Sequence, residues 1–284
     1  MAIDLTSLQD PLGLGRVGYA QPALSLTARQ WTAGSFTERG DQIVEETPVA
    51  LVYNGAPHVV MMATPQDLED FAVGFSCTEE LVRSAADVKA VEVVRYGQGI
   101  ELQVTIPPEC EAVVASRNRR MMGRTGCGIC GSDSIQAVLR EVRPIEGGPP
   151  SIAAAAVQTA LAALPGAQPL NTATGAVHAA AWASPVGAIE LVREDVGRHN
   201  ALDKLIGALL RRGTDPQAGF LVVTSRASFE MVQKATVFGA PLLAAISGPT
   251  GLAVRLAQQA GLTLVGFARP DRLTVYTHPQ RLTA

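Results

Sequence analysis

A two-part α/β chain is the fold class that the sequence predicts: a C-terminal three-layer α/β/α domain over 147–284 and a smaller N-terminal α+β domain over 39–146. Three observations predict it. After residue 150, short apolar runs alternate with helix-length segments, the pattern of strands joined by crossovers. Before it, apolar runs come in pairs around turn signals, with an amphipathic helix between the pairs. Between the halves, Glu146-Gly-Gly-Pro-Pro150 punctuates the chain as a domain boundary does.

Residues 1–38 mix Gly, Pro, Ser and Gln without a steady period and are expected to form a poorly ordered arm. Runs 43–53 and 58–62 are joined by Asn54-Gly55, a strong hairpin signal. Thr64-Pro65 predicts a helix start, with Thr64 as N-cap, Pro65 at the first helical position and Asp67 near the positive end. Leu68, Phe71, Ala72 and Phe75 supply its buried stripe, and Cys77 near its end reads as core packing. A second strand pair, 88–95 and 100–106, ends at Pro107-Pro108. A cysteine-bearing loop over 117–132 follows, then a short helix over 132–142 and an alanine-rich helix over 151–164, stopped by Pro165-Gly166.

Beyond it, strands 179–184 and 188–193 pair across Pro185-Val-Gly187. A helix over 199–212 leads to strands 220–224, 242–246 and 262–267, separated by helices 229–238 and 252–259. That order implies right-handed crossovers and a mainly parallel sheet covered on both faces.

With 284 residues, 47% hydrophobic and 17% charged, the chain has the composition of a globular protein. Its net charge of -3 argues against a general nucleic-acid binder, so any anionic ligand must be met by local arginines. Met1-Ala-Ile-Asp-Leu5 lacks the basic and apolar regions of a secretory signal, and no unbroken apolar run reaches membrane-spanning length. The expected location is cytoplasmic, with neither membrane nor nucleic acid as partner.

Chemistry is concentrated in Arg124-Thr-Gly-Cys-Gly-Ile-Cys-Gly-Ser132, where Cys127 and Cys130 stand among Gly126, Gly128 and Gly131, just after Arg117, Arg119 and Arg120. A thiolate is the sulfur nucleophile, and nearby cations favour it. Three other readings compete. A structural zinc site needs four ligands, and Cys77, Cys110 and the four histidines form no second pair. A thioredoxin-like dithiol opens a helix directly after a strand, whereas this pair sits in a Gly/Arg loop. The third reading is two inert loop cysteines.

Ligands of open α/β sheets bind beyond the carboxyl ends of the strands. Glu194-Asp-Val-Gly-Arg198-His199, Ser225-Arg226-Ala-Ser228, Ser247-Gly-Pro-Thr-Gly251 and Arg269-Pro-Asp-Arg272 all fall there, and three lead into helix N-termini, which favour phosphate. Ordinary capping chemistry explains any one of these loops, but the four together less well. His178 is either a ligand contact or a satisfied buried imidazole, and His199 either a general base or a phosphate donor. Zinc-dependent deamination needs His-x-Glu and a later Cys pair; Ala180 stands in the Glu position and no Cys follows Cys130, so no zinc is expected.

Taken together, Val49-Ala-Leu-Val-Tyr-Asn-Gly55, Arg124-Thr-Gly-Cys-Gly-Ile-Cys-Gly131, Thr174-Gly with His178-Ala-Ala-Ala-Trp182, Glu194 to His199 with Ala201-Leu-Asp-Lys204, Ser225-Arg-Ala-Ser with Glu230-Met-Val-Gln-Lys234, and Leu264-Val-Gly-Phe267 with Val275-Tyr-Thr-His278 carry a resemblance. Over about residues 43–282 the chain resembles the FdhD family, sulfur carriers that serve the maturation of formate dehydrogenase. The resemblance implies a homodimer and a C-terminal domain like the cytidine deaminase fold. It also implies a sulfurtransferase that takes sulfur from a cysteine desulfurase as a persulfide. That sulfur passes to the molybdenum bis(molybdopterin guanine dinucleotide) cofactor of formate dehydrogenase. Carried over, Cys127 looks like the persulfide residue and Cys130 its partner. The family's cofactor-binding segment matches Phe267-Ala268-Arg269-Pro270-Asp271-Arg272, with Ala268 where the family often has a cysteine. Ser225, Arg226, Arg198, His199 and His178 complete the expected cofactor-binding set. A rival expectation is a non-catalytic chaperone that only holds the cofactor through its nucleotide-binding domain.

Overall fold

The structure, a computed structural model, describes residues 21–121, 144–145 and 151–284. Cys127 and Cys130, the helix expected over 132–142 and the boundary at 146–150 lie outside the described residues, as do residues 1–20.

The first element corrects an expectation. Residues 23–38 are not a loose arm but belong to a hairpin in which β1 (Ala23–Thr32) and β2 (Ser35–Val44) pair antiparallel along their whole length. Leu24, Leu26 and Ala28 alternate with Ser25, Thr27 and Arg29, a period of two hidden by the polar composition. Ala33 and Gly34 both take positive φ at the turn, the geometry that suits a two-residue hairpin loop.

A four-stranded sheet follows, in the order β4-β3-β6-β5. β3 (Thr47–Tyr53) and β4 (Ala56–Ala63) are joined by Asn54-Gly55 at positive φ, as expected. The Asn54 side chain also donates to the Ile106 carbonyl and accepts from the Ile106 amide, each at 2.9 Å, which clamps the turn to the adjacent end of the neighbouring parallel strand. Helix α1 (Leu68–Thr78) packs Phe71 and Phe75 against Val49, Leu51 and Leu102. β5 (Ala90–Tyr96), β6 (Gly99–Thr105) and α2 (Pro108–Met121) complete this unit, which leads toward the cysteine segment.

Helix α1 begins at Leu68, after Asp67 in the left-handed region, and not at Pro65. The reason is tertiary. The Thr64 hydroxyl accepts from the Val196 amide at 3.1 Å, its amide donates to Asp195 and its carbonyl accepts from Lys204, so Thr64 has no free oxygen with which to cap.

The second unit opens with β7 (Ile152–Ala153), α3 (Ala154–Ala163) and α4 (Pro169–Thr174). Its sheet strands are β8 (His178–Ala183), β9 (Ile189–Asp195), β10 (Phe220–Val223), β11 (Leu242–Ala245), β12 (Thr263–Arg269) and β13 (Arg272–Val275). They are ordered β13-β12-β11-β10-β8-β9. The helices α5 (Arg198–Arg211), α6 (Phe229–Phe238) and α7 (Gly251–Ala260) cover one face through Trp182, Leu221, Leu243 and Leu264. The other face holds α3 against Phe220, Val222, Leu242 and Val265. A short parallel pair of β7 with β14 (Leu282–Thr283) ties the chain end to the start of this unit.

The sheet is mixed where a mainly parallel one was expected. β10, β11 and β12 are parallel because helical crossovers join them, whereas β8 with β9 and β12 with β13 are hairpins whose short turns force antiparallel pairing.

The two units meet where α1 crosses α5. A Cβ on Gly74 would lie 1.8 Å from the Asp203 carbonyl oxygen, and one on Gly207 would lie 1.9 Å from that of Asp70, so the backbones touch. Two buried lysines flank the crossing. Lys204 Nζ lies 2.6 Å from Asp195, and Lys234 Nζ donates at 2.9 Å to both Asp203 and Glu79 and at 3.0 Å to Thr78. Burial works against the Lys234 charge, but Asp203 and Glu79 hold its pKa above the ordinary lysine value. Burial pushes the Asp203 carboxyl up, partly offset by the Lys234 charge and the Thr78 hydroxyl.

Gly207→Ala should cost about 2 kcal/mol or more by forcing the helices apart, read as a lower urea midpoint. Lys234→Ala should cost about 3–5 kcal/mol by leaving buried carboxylates uncompensated, while Lys234→Ala together with Asp203→Ala should cost less than the sum.

Candidate functional site

The same edge of the sheet carries the ends of β9, β10, β11 and β12 and the start of β8. His178, the first residue of β8, stands in register with Asp195, the last of β9. Asp195 organises the turn that follows: its carboxylate accepts from the Gly197 amide at 2.7 Å and from Asn200 Nδ2 at 3.0 Å, and its other oxygen accepts from the Thr64 amide at 3.0 Å. With the turn held, Arg198 and His199 are fixed in the first turn of α5.

His199 Nε2 meets Glu230 Oε2 at 3.0 Å, joining the starts of α5 and α6. The Ser228 hydroxyl donates to the same oxygen at 3.4 Å. His178 Nδ1 lies 3.5 Å from the Thr224 hydroxyl, which accepts from the Ala179 amide. Burial is the first cause that lowers the His178 pKa below its ordinary value, and the Arg198 and His199 charges add to it against Asp195. Burial raises the Glu230 carboxyl, but hydrogen bonding and charge from His199, with Arg198 and Lys234, outweigh it and leave the pKa lowered. The buried Arg198 Nε has no hydrogen-bond partner among the described residues. A buried, unpaired guanidinium nitrogen is costly, and an anion is what would satisfy it.

Three loops then stack along the edge. Ser225 is buried, with its hydroxyl on the Arg226 carbonyl, while the Arg226 side chain is exposed. Ala227 bridges Pro249, and the Thr250 amide donates to the Ala227 carbonyl at 3.1 Å, so the second and third loops are joined through their backbones. The Phe267 amide donates to the Ser247 carbonyl at 3.2 Å. Phe267 takes φ 48°, and its half-exposed ring covers Gly248, where a Cβ would come within 2.6 Å of it. Arg269 and Arg272 face each other across the turn Pro270-Asp271, all four exposed. Arg269 also donates to the Ala268 carbonyl at 2.9 Å.

The starts of α5 and α6 lack side-chain caps and that of α7 is capped by Thr250, so free amide donors face this edge beside the arginines. The arrangement can take an extended polyanion and lay a flat ring on Phe267.

Of the expected site residues, the structure brings together His178, Arg198, His199, Ser225 and Arg226, with Phe267, Arg269, Pro270, Asp271 and Arg272 on the adjoining hairpin end. Ala268 differs: its side chain is buried in the cluster around α3, so only its backbone belongs to the edge. Among the described residues no group of three or more His, Cys, Asp or Glu side chains is placed to hold a metal ion. No helix there is long and apolar enough to cross a membrane.

The sequence pattern of the FdhD/NarQ family matches residues 44–283 of the chain. The chain belongs to that family. It is 54% identical over 256 residues to the sulfur carrier protein FdhD of Xanthomonas euvesicatoria pv. vesicatoria, covering 90% of this chain and 91% of that one. It is 50% identical over 260 residues to the protein of the same name from Bordetella petrii, covering 92% and 93%. A solved formate dehydrogenase accessory protein from Desulfotalea psychrophila has the same fold, with a TM-score of 0.75 and 24% identity over 93% of this chain and all of that one.

Several organising residues of this FdhD/NarQ chain drew no role from the sequence: Asp195, Asp203, Lys204, Glu230 and Lys234. The signal was present only in part: Glu230 and Lys234 stand four apart on α6, whereas Asp195 ends β9 and Asp203 and Lys204 are neighbours on α5. Cys77 and Cys110 are inert by environment. Burial first, then Asp87 and Asp203, pushes the Cys77 thiol up to about 12, and burial with Asp87 and Glu109 raises Cys110.

Iodoacetamide at neutral pH should therefore leave Cys77 and Cys110 of the folded protein unmodified while they label fully in urea, as peptide mass spectrometry would show. Because the unfolded chain binds the His178 proton more readily, this group should cost stability as pH falls below about 6.5. The resonance of His178 should titrate below that of a free histidine, and His178→Gln should flatten the acid limb of the stability curve.

Proposed function

We propose that this chain is a cytoplasmic sulfur carrier that acts through a persulfide on Cys127 and serves formate dehydrogenase. The Cys127 thiolate attacks the terminal sulfur of a persulfide on a cysteine desulfurase, forming Cys127–S–SH and releasing the donor thiolate. The sulfur then passes to the molybdenum bis(molybdopterin guanine dinucleotide) cofactor, the substrate held by the C-terminal unit. When sulfur leaves as sulfide, two electrons are required, and the Cys130 thiol supplies them by closing a disulfide with Cys127.

Support comes from curated relatives at 50–54% identity named as sulfur carriers. The observation in this chain that carries the cofactor half of the reading is the buried Arg198 Nε without a partner among the described residues, beside uncapped helix starts and the exposed Arg226, Arg269 and Arg272. A substrate with two pyrophosphates matches that row of donors, and a guanine ring matches Phe267. We read the sheet as a deaminase-like frame without deaminase chemistry, since the residue two after His178 is Ala180.

After incubation with a cysteine desulfurase and cysteine, the Cys127 peptide should carry one added sulfur. Cys127→Ala should abolish activation of formate dehydrogenase and keep guanosine diphosphate binding. Arg269→Ala with Arg272→Ala should weaken that binding by about tenfold or more, given about 1.5–3 kcal/mol per charged hydrogen bond. Full activation by a Cys127→Ala, Cys130→Ala variant would replace the carrier reading with that of a cofactor chaperone.

A further inference from the structure

Glu230 stands in the first turn of α6, where the helix dipole favours an acidic side chain. Its carboxylate, however, is largely buried and turned across to α5. Oε2 lies 3.0 Å from His199 Nε2 and accepts a second hydrogen bond from the Ser228 hydroxyl at 3.4 Å. Ser228 occupies the N-cap of α6 without making a side-chain capping bond. A residue suited to capping the helix thus helps to hold the carboxylate on His199. On an edge rich in anion donors, a bare carboxylate would repel the ligand that the edge attracts. Pairing with a histidine removes that conflict.

With Nε2 committed to Glu230, Nδ1 is the ring nitrogen that is left, and it has no hydrogen-bond partner among the described residues. His199 is the second residue of α5, beside the free amides of that helix start. It directly follows Arg198, whose buried Nε also lacks a partner among the described residues. A histidine donates through both nitrogens only as the imidazolium. A carboxylate on one nitrogen compensates the charge that donation from the other requires. The other charged or titratable groups around the pair, among the described residues, are Arg198 on α5, Lys234 on α6, His178 at the start of β8 and Asp195 at the end of β9. Asp195 is taken by Lys204 and backbone amides, and Lys234 by Asp203 and Glu79. Arg198 repels a charge on His199, and Glu230, in direct contact, offsets it.

We propose that Glu230 is a positioning residue that holds His199 by Nε2, so that Nδ1–H, beside Arg198, donates to a phosphate of the nucleotide at the start of α5. Glu230 touches no ligand and acts through the imidazole. The inference rests on the nucleotide-binding reading of this edge and adds to it the acid that makes one of its donors. The two histidines of the edge then differ in role: His199 donates to the phosphate, whereas His178, with burial and Arg198 against its charge, keeps a lone pair.

Calorimetric titration of the full chain with guanosine diphosphate, and with guanosine as the ligand without phosphate, tests this. Glu230→Gln keeps the size of the side chain and removes its charge; it should weaken diphosphate binding about tenfold and leave guanosine binding unchanged. Wild-type affinity for the diphosphate should fall as pH rises through the titration of the His199 ring, followed by its own resonance. Glu230→Gln and His199→Gln should both lack that fall, and the double variant should bind no worse than His199→Gln alone. A mere tether between two helices would change the melting temperature and leave the pH dependence of binding as it is. In the wild-type complex, which needs no variant to fold, nitrogen shifts should show the His199 ring protonated at both positions. Diphosphate binding indifferent to Glu230→Gln, a neutral His199 ring in the complex, or an equal loss for guanosine and the diphosphate would each overturn the proposal and leave the nucleotide reading intact. A wild type that binds no guanosine diphosphate would remove both.

Discussion

The arrangement of the phosphate-side edge depends on how closely α1 and α5 cross. Glycines at 74 and 207 let two backbones touch, and the ion pairs of Lys204 with Asp195 and Lys234 with Asp203 sit on either side. Buried charges are a poor source of net stability but a strong source of register, since any slide of one helix leaves an unpaired charge in a dry interior. The same residues serve both purposes. Asp195 holds Lys204 and, through its other contacts, the turn that presents Arg198 and His199; Lys234 locks α6, whose first turn carries Glu230. The edge that carries Arg198, His199 and Glu230 is thus built from the far ends of the bolts that hold the two units together.

This coupling gives the edge its electrostatic character. Helix starts and arginines supply positive potential, and among the described residues Glu230 stands against His199 and Asp195 beside His178. Both carboxylates are already committed, one to His199 and the other to Lys204 and backbone amides. An incoming anion therefore meets committed carboxylates beside the histidines, while at the hairpin end Asp271 stands exposed between Arg269 and Arg272. His178, half-buried and beside Arg198, stays neutral near pH 7 and offers a nitrogen lone pair on an edge rich in donors. The thiols tell the complementary story: Cys77 and Cys110 are kept protonated by burial and acidic neighbours, whereas Cys127 and Cys130 come in a sequence full of arginine.

Much of this is legible in the chain itself. Asn54-Gly55, the second strand pair, the alternation of strands and helices after residue 150 and the four polar loops beyond the strand ends all fall where local propensity and spacing put them. Where the reading fails, a distant partner overrides a local rule. Thr64 has the chemistry of a cap, but Val196, Asp195 and Lys204 occupy its oxygens and amide. The β1–β2 ribbon escapes a periodicity reading because its alternation is written in Thr, Gln and Arg as often as in Leu.

The sequence alone determined most of the elements after residue 43, the chemical type of the edge and the position of the cysteine pair, because propensity, periodicity and residue chemistry are properties of neighbours in the chain. Only the tertiary structure decided that β10 runs antiparallel to β8, the pairing of His199 with Glu230 and the isolation of Arg198 Nε. Those are relations between residues about 30 or more positions apart, or between a side chain and its surroundings, and no local pattern encodes which long-range partner closes each gap. The same holds for Ala268: one residue among five exposed neighbours in sequence, it turns inward because the bulge at Gly266 to Arg269 rotates its side chain to the α3 face.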